Sequence, residues 1–359
     1  MKDLKQKGSF DLYNLSRYRN EIYGVSILWI VLYHAFMIGY EWPVYLAFLK
    51  CGLAGCDVFL FLSGISLYFS YLKYESKFRF YVKRMLRIYI PLFTIFLPYL
   101  VYALRFQDIS TSKYIVAICA RISGILFWIN GNQQIWFISL IIVLYLSYPL
   151  IMQFISGGKD DKGYFVRTMI LCISELALML LVMKLFPSYY EDAQIALVRL
   201  PVFTVGCYMG PYVFNHFHIP GKVLYLCLVV SIVAFVVFGI YWLGYYTAGQ
   251  VVQLFFGGIS ITLCMAKLFD LLSGTRLCFI NKAMRCLGGT TLEMYIIHIA
   301  AILLYRDGRL FRYNEGRLLP YLLLMCICFV LSIFFSRIDQ NILNLITRKG
   351  KKKNERNME

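Results

Sequence analysis

The sequence holds four histidines, and two of them sit where an ionisable ring costs free energy. His34 falls in "GVSILWIVLYHAFMIGY", a stretch with no other charged side chain, and His298 falls in "TTLEMYIIHIAAI". An ionisable side chain at membrane depth costs roughly 3 kcal/mol or more, so it faces a partner, a cavity or a reaction. A neutral imidazole suits general-base removal of a hydroxyl proton near pH 7. It can equally do no more than hydrogen-bond a neighbouring helix. Tyr295 and His298, three apart, share a helix face, whereas Glu293, five before His298, does not superpose on it.

Carboxylates are the next candidates. Asp57 opens "DVFLFLSGISLYFS", and a carboxylate there could orient an imidazole and stabilise its protonated form, as in hydrolytic triads. In the same stretch Ser63 can bond back to the preceding turn, and Gly64 permits close helix approach, which is a packing reading. Glu175, in "LCISELALML", is a carboxylate deep in an apolar run, where it reads as protonated and hydrogen-bonded.

Three cations follow in "FYVKRMLRIYIP". On a helix Lys83, Arg84 and Arg87 project within one arc. There they could bind phosphates, the arginines bidentately, or simply fix membrane topology. His216 and His218 form an H-x-H pair in "NHFHIP" without further ligands, so they read as solvated loop residues, and no metal site is expected.

The elements that must hold these groups are membrane helices. The chain of 359 residues is 60% hydrophobic and 15% charged, and its apolar residues come in long blocks. Spans of about 20 apolar residues are expected near 22–40, 53–72, 86–104, 136–155, 167–186, 196–214, 223–243, 250–269, 291–305 and 319–337. The segment 114–129, interrupted by Arg121, reads as interfacial or re-entrant. Ten spans put both termini on one side. With the amino terminus cytoplasmic, 25 of the 36 Lys and Arg lie in inner segments and 8 in outer ones, as the positive-inside bias requires. The exception is the outer loop holding Arg306, Arg309, Arg312 and Arg317.

This arrangement divides the chain into an amino-terminal segment 1–21, a membrane domain 22–337 and a basic cytoplasmic tail 338–359. The tail reads as a solvated end near anionic lipid, so the basic excess does not imply nucleic acid. The 11 cysteines lie mostly inside apolar runs, where they act as small hydrophobes rather than a disulfide framework. The polar start shows no cleavable signal peptide. No internal repeat or inverted pair of broken helices stands out, which weakens a secondary-transporter reading.

Taken together, these stretches resemble the membrane-bound acyltransferase family 3, which includes polysaccharide O-acetyltransferases. "RNEIYGVSILWIVLYH" resembles its first-helix motif ending in histidine, and "DVFLFLSGISLY" its Asp-Phe-Phe-x-x-Ser-Gly segment. "FYVKRMLRIYIP" is similar to its Arg-x-x-Arg stretch, through Arg84 and Arg87. "IWFISLIIVLYLSYPLI" resembles its Trp-Phe…Tyr-x-x-x-Pro helix, through Trp136, Tyr145 and Pro149. "RLPVFTVGCYMG" and "TLEMYIIHIAAI" resemble two later segments, in family order along nearly the whole chain. There are two departures. Tyr23 stands eleven positions before His34, where members often have Arg or Lys, with Arg19 one helical turn earlier. Leu140, Ile141 and Ile142 occupy a region that is acidic in some relatives.

The resemblance implies an all-α inner-membrane O-acetyltransferase. Its donor would be acyl-coenzyme A, chiefly acetyl-coenzyme A, as co-substrate, with no tightly bound cofactor. The acceptor would be a hydroxyl of a cell-envelope glycan or lipid-linked sugar, and its remaining partners membrane lipids. His34 would be the general base and Asp57 its orienting group. Arg84, Arg87, Lys83 and Arg19 would bind the donor. Ser63, Trp136, Glu293, His298 and Glu175 are further site candidates. The rival is a glycan or lipid transporter with His34, Glu175 and His298 as a proton relay. A third reading is a structural or sensory membrane protein whose polar groups only specify helix packing.

Overall fold

A computed structural model describes residues 8–73, 76–105, 110–158, 160–240, 248–308 and 316–356. The helices that matter here are α1 (Arg19–Tyr33), α2 (Ala54–Lys73), α3 (Lys77–Leu104), α4 (Thr111–Ile122), α5 (Ile125–Asn130) and α6 (Trp136–Ser156). They continue with α7 (Asp161–Leu185), α8 (Pro187–Leu197), α9 (Leu200–Phe214), α10 (Gly221–Ile240) and α11 (Ala248–Ser273). The last are α12 (Cys278–Gly288), α13 (Thr291–Asp307) and α14 (Leu318–Arg356).

Among the described residues each predicted span falls largely on helix, that at 196–214 across the α8–α9 break. Among the described residues eight helical segments are long and apolar enough to cross a bilayer, or nine if α12 and α13 form one span bent by 67°. The count falls below ten because the described apolar stretch of α10, Gly221–Ala234, is short. The end of that predicted span, 241–243, lies outside the described residues, as do Arg309 and Arg312 of the predicted outer loop. The segment 114–129 breaks at Gly124 (φ 76°) into α4 and α5, neither of spanning length.

Two features were not expected. Ser9–Asp11 and His218–Pro220 pair as a small antiparallel sheet, which ties the amino-terminal segment to the α9–α10 connection. There His216 takes φ 54°, stacks on Tyr13 and meets Asp11 Oδ2 at 2.9 Å, so it serves the clasp. Among the described residues no cluster fit for a metal occurs. The second feature is α14. It continues well beyond 337, so residues 338–356, in the expected basic tail, are helical.

The core forms around α2, whose residues Ala54 to Ile65 are all buried, while α7 and α10 turn many apolar side chains outward. Small residues set the close contacts. A Cβ on Gly64 would lie 2.6 Å from the Phe203 carbonyl, and one on Gly206 would strike the Phe61 carbonyl. The backbones of α2 and α9 therefore touch, as small residues allow between membrane helices. Gly24 and Gly288 play the same part between α1 and α12, against the Met284 and Asn20 backbones. Arg285 closes that contact by donating through Nε (2.9 Å) to the buried carboxylate of Glu21.

Candidate functional site

Helix α1 carries Arg19 at its start, and His34 follows its last residue, fifteen positions on. At 1.5 Å per residue they stand about 22 Å apart along the axis. Three neighbouring cavities with shared wall residues lie between them. The first, a mouth of about 540 Å³, is lined by Arg19, Arg84 and Arg87 together with Ser70, Glu293 and Asp339. It shares Tyr23, Ser63, Ile88, Tyr145, Thr291 and Leu292 with a mainly apolar neck of about 150 Å³. The neck shares Ile30, Cys56 and Tyr295 with a chamber of about 340 Å³, whose wall includes His34, Trp136, Asn132 and Gln134.

The arginines of the mouth come from two elements. Arg84 and Arg87 are one turn apart on α3 and face the cavity together. Arg84 donates to Ser70 Oγ and lies 5.6 Å from the Tyr145 ring centre, a cation–π contact that holds the guanidinium in place. Arg19 Nε is buried with no hydrogen-bond partner among the described residues. The bend before α13 brings Gly288, Gly289 and Thr291 to the same wall, so the positive end of a 17-residue helix adds to the field. Two buried carboxyl groups share this wall. Asp339 accepts from Thr94 Oγ1 at 2.8 Å, and Glu293 lies within electrostatic reach of both Arg87 and Asp339. Lys83 does not line the mouth: it is turned about 100° around the helix from Arg84.

His34 begins a 3₁₀ turn, His34–Ile38, that ends at left-handed Gly39. The carbonyls just before it are held from outside: Tyr321 donates to Val31 O at 2.5 Å and Trp42 Nε1 to Leu32 O at 2.9 Å. These bonds fix the ring at the chamber wall. Its Nδ1 lies 3.3 Å from His298 Nε2, and His298 Nδ1 lies 2.9 Å from the Met294 carbonyl. His298 is fully buried.

Asp57 does not fill the orienting place expected for it. Its carboxylate faces Arg199, with Oδ1 3.3 Å from Nε, and both side chains are buried. The cause is the break between α8 and α9. It leaves Arg199 inside the bundle, where a lone guanidinium requires a counter-charge, and α2 supplies one. Arg199 also donates to Ile195 O at 2.5 Å and lies 5.3 Å from the Trp136 ring centre, so the ion pair braces an aromatic wall of the chamber.

A family profile described as an acyltransferase domain matches residues 24–337. The chain belongs to the membrane-bound acyltransferase family 3. No curated protein and no solved structure matches it. Family and helices together make it a multi-pass membrane acyltransferase.

In this acyltransferase the three cavities gather most of the residues singled out in the sequence. Arg19, Arg84, Arg87, Ser63 and Glu293 line the mouth, Trp136 and His34 the chamber, and His298 stands behind His34. Tyr23 lines both mouth and neck, with Arg19 supplying a cation one turn before it. Glu175 stands apart: its Oε1 accepts from Thr204 at 2.6 Å, and it lines none of the three cavities. A relay joining it to the two histidines lacks that contact. Sequence reasoning missed Arg199, Asp339 and the amides Asn132 and Gln134. Arg199 had a signal, as one of the few cations within an apolar run; the others had none.

Proposed function

We propose that the protein is an inner-membrane O-acyltransferase, using acetyl-coenzyme A or a related acyl-coenzyme A. The acceptor is a hydroxyl of a cell-envelope glycan or lipid-linked sugar. The observation that carries this reading is the series of three cavities with shared walls, which has three arginines at one end and one histidine at the other. Its two ends suit the two ends of the donor. Arg84 and Arg87 bind its phosphates, assisted by Arg19, and Lys83 adds charge from outside the wall. The mainly apolar lining of the neck suits the pantetheine arm better than a charged nucleotide. The distance of about 22 Å from Arg19 to His34 suits that arm in extended form.

The chemistry then falls to His34. The acceptor hydroxyl gives its proton to His34 Nε2 while its oxygen attacks the thioester carbonyl carbon. The carbon–sulfur bond breaks, and the departing thiolate takes the proton from His34, which returns to the neutral form. Products are the acceptor ester and free coenzyme A. Trp136 offers a flat aromatic face in the chamber, and Asn132 and Gln134 offer amides, a combination suited to a sugar ring and its hydroxyls. The inner-segment excess of Lys and Arg supports a cytoplasmic mouth.

The test uses purified protein in vesicles, acetyl-coenzyme A, and a lipid-linked glycan extract. Thiol release that requires both the extract and the protein supports the proposal. Donor binding without any acceptor-dependent thiol release or acyl incorporation would refute it.

A further inference from the structure

We infer that His298 is the positioning residue of His34: it accepts the His34 Nδ1–H and so leaves Nε2 as the proton acceptor. The inference rests on the reading of His34 as general base. It starts from a carbonyl. Met294 O can only accept a hydrogen bond, so His298 Nδ1, 2.9 Å away, carries a hydrogen. In a neutral ring the other nitrogen, Nε2, then has only a lone pair. That nitrogen faces His34 Nδ1 at 3.3 Å. Two lone pairs would repel, and a doubly protonated His298 would be a fully buried cation with no carboxylate paired to it among the described residues, Asp57 facing Arg199 instead. The arrangement that satisfies both facing nitrogens is the third. His34 donates through Nδ1, and its Nε2 is the basic nitrogen.

The same pair accounts for how a charge can form there. When His34 takes the acceptor's proton, the bond from Nδ1–H to His298 Nε2 becomes charge-assisted. A carboxylate in that place would do the same, but it would add a permanently desolvated charge to the interior. A second histidine provides the acceptor with no charge of its own. The Ile30 carbonyl, one turn before His34, is the other acceptor beside the ring and the natural competitor for this role.

The test compares His298→Leu, which removes the acceptor, with His298→Gln, whose amide oxygen can stand near the Nε2 position. Both are read as turnover per folded molecule and as KM for acetyl-coenzyme A. We expect His298→Leu to lose about a hundredfold in kcat, the lower range for general-base catalysis, with KM unchanged. His298→Gln should recover most of that loss. Full turnover in His298→Leu would overturn the inference and return the role to the Ile30 carbonyl. Equal loss in both variants, once folded, would also overturn it, because the acceptor would not be what matters. His34→Gln keeps the two levels distinct. An inactive His34→Gln beside an active His298→Leu removes only this inference, whereas an active His34→Gln removes the base itself.

Discussion

His34 meets a second histidine, not a carboxylate: its Nδ1 lies 3.3 Å from Nε2 of His298. The two residues are 264 positions apart and come from α13 and the turn that ends α1. The nearby carboxylate that the sequence offered, Asp57, is committed to Arg199. The Asp57–Arg199 ion pair thus stands apart from the basic ring and serves the wall instead.

That separation predicts a pattern of stability. Removing one member of the Asp57–Arg199 pair leaves an uncompensated buried charge, which costs about 3–5 kcal/mol. Arg199→Met and Asp57→Leu should each lower thermal stability in detergent strongly. The double variant should recover part of the loss, because two neutral residues leave no orphan charge. A double variant as unstable as the sum of the singles would mean that the two residues do not act as a pair.

At the mouth the prediction concerns donor affinity. Hydrogen bonds to charged groups contribute about 1.5–3 kcal/mol each, and 1.4 kcal/mol is tenfold in binding. Arg84→Gln and Arg87→Gln should each weaken acyl-coenzyme A binding by about tenfold or more, while Lys83→Gln, off the wall, should weaken it less. Titration calorimetry on folded protein checks the ranking. A Lys83 effect as large as that of Arg84 would place the phosphates outside this cavity.

How far the sequence led depends on the kind of signal. Membrane helices announce themselves by long apolar blocks, and among the described residues the predicted spans lie largely on helices. Residues 338–356 read as a polar tail because hydropathy is low there, yet they prolong α14 and bring Asp339 to the mouth. Asp57 was rightly singled out as a buried carboxylate and given the wrong neighbour. Residue type shows that a partner must exist; only helix packing shows which one. Glu175 teaches the same lesson, since its hydroxyl partner Thr204 lies on another helix.

Topology offers a test independent of activity. The positive-inside bias predicts that Lys77 and Lys282 are cytoplasmic and Ser188 external. Reporter fusions at those three positions should read in, in and out. A cytoplasmic readout at Ser188 would reverse the later helices and remove the ten-span arrangement.

The last prediction concerns His34 itself. Two roles compete for a ring at this depth, and their sizes differ. A packing hydrogen bond between membrane helices contributes about 0.6–2 kcal/mol of stability. General-base catalysis contributes about 10²–10⁴ in rate. His34→Gln keeps much of the volume and can still donate toward His298, but it cannot take a proton. It should therefore insert, fold and bind acyl-coenzyme A like the unaltered protein, because the arginines line a different cavity from His34 and Arg19 stands about 22 Å away along α1. Acyl transfer per folded molecule should fall at least about a hundredfold. Were the ring only a packing element, transfer would persist, and any deficit would follow the amount of folded protein. Turnover normalised to folded protein, measured beside donor affinity, separates the two, and near-normal turnover would strip His34 of its catalytic role.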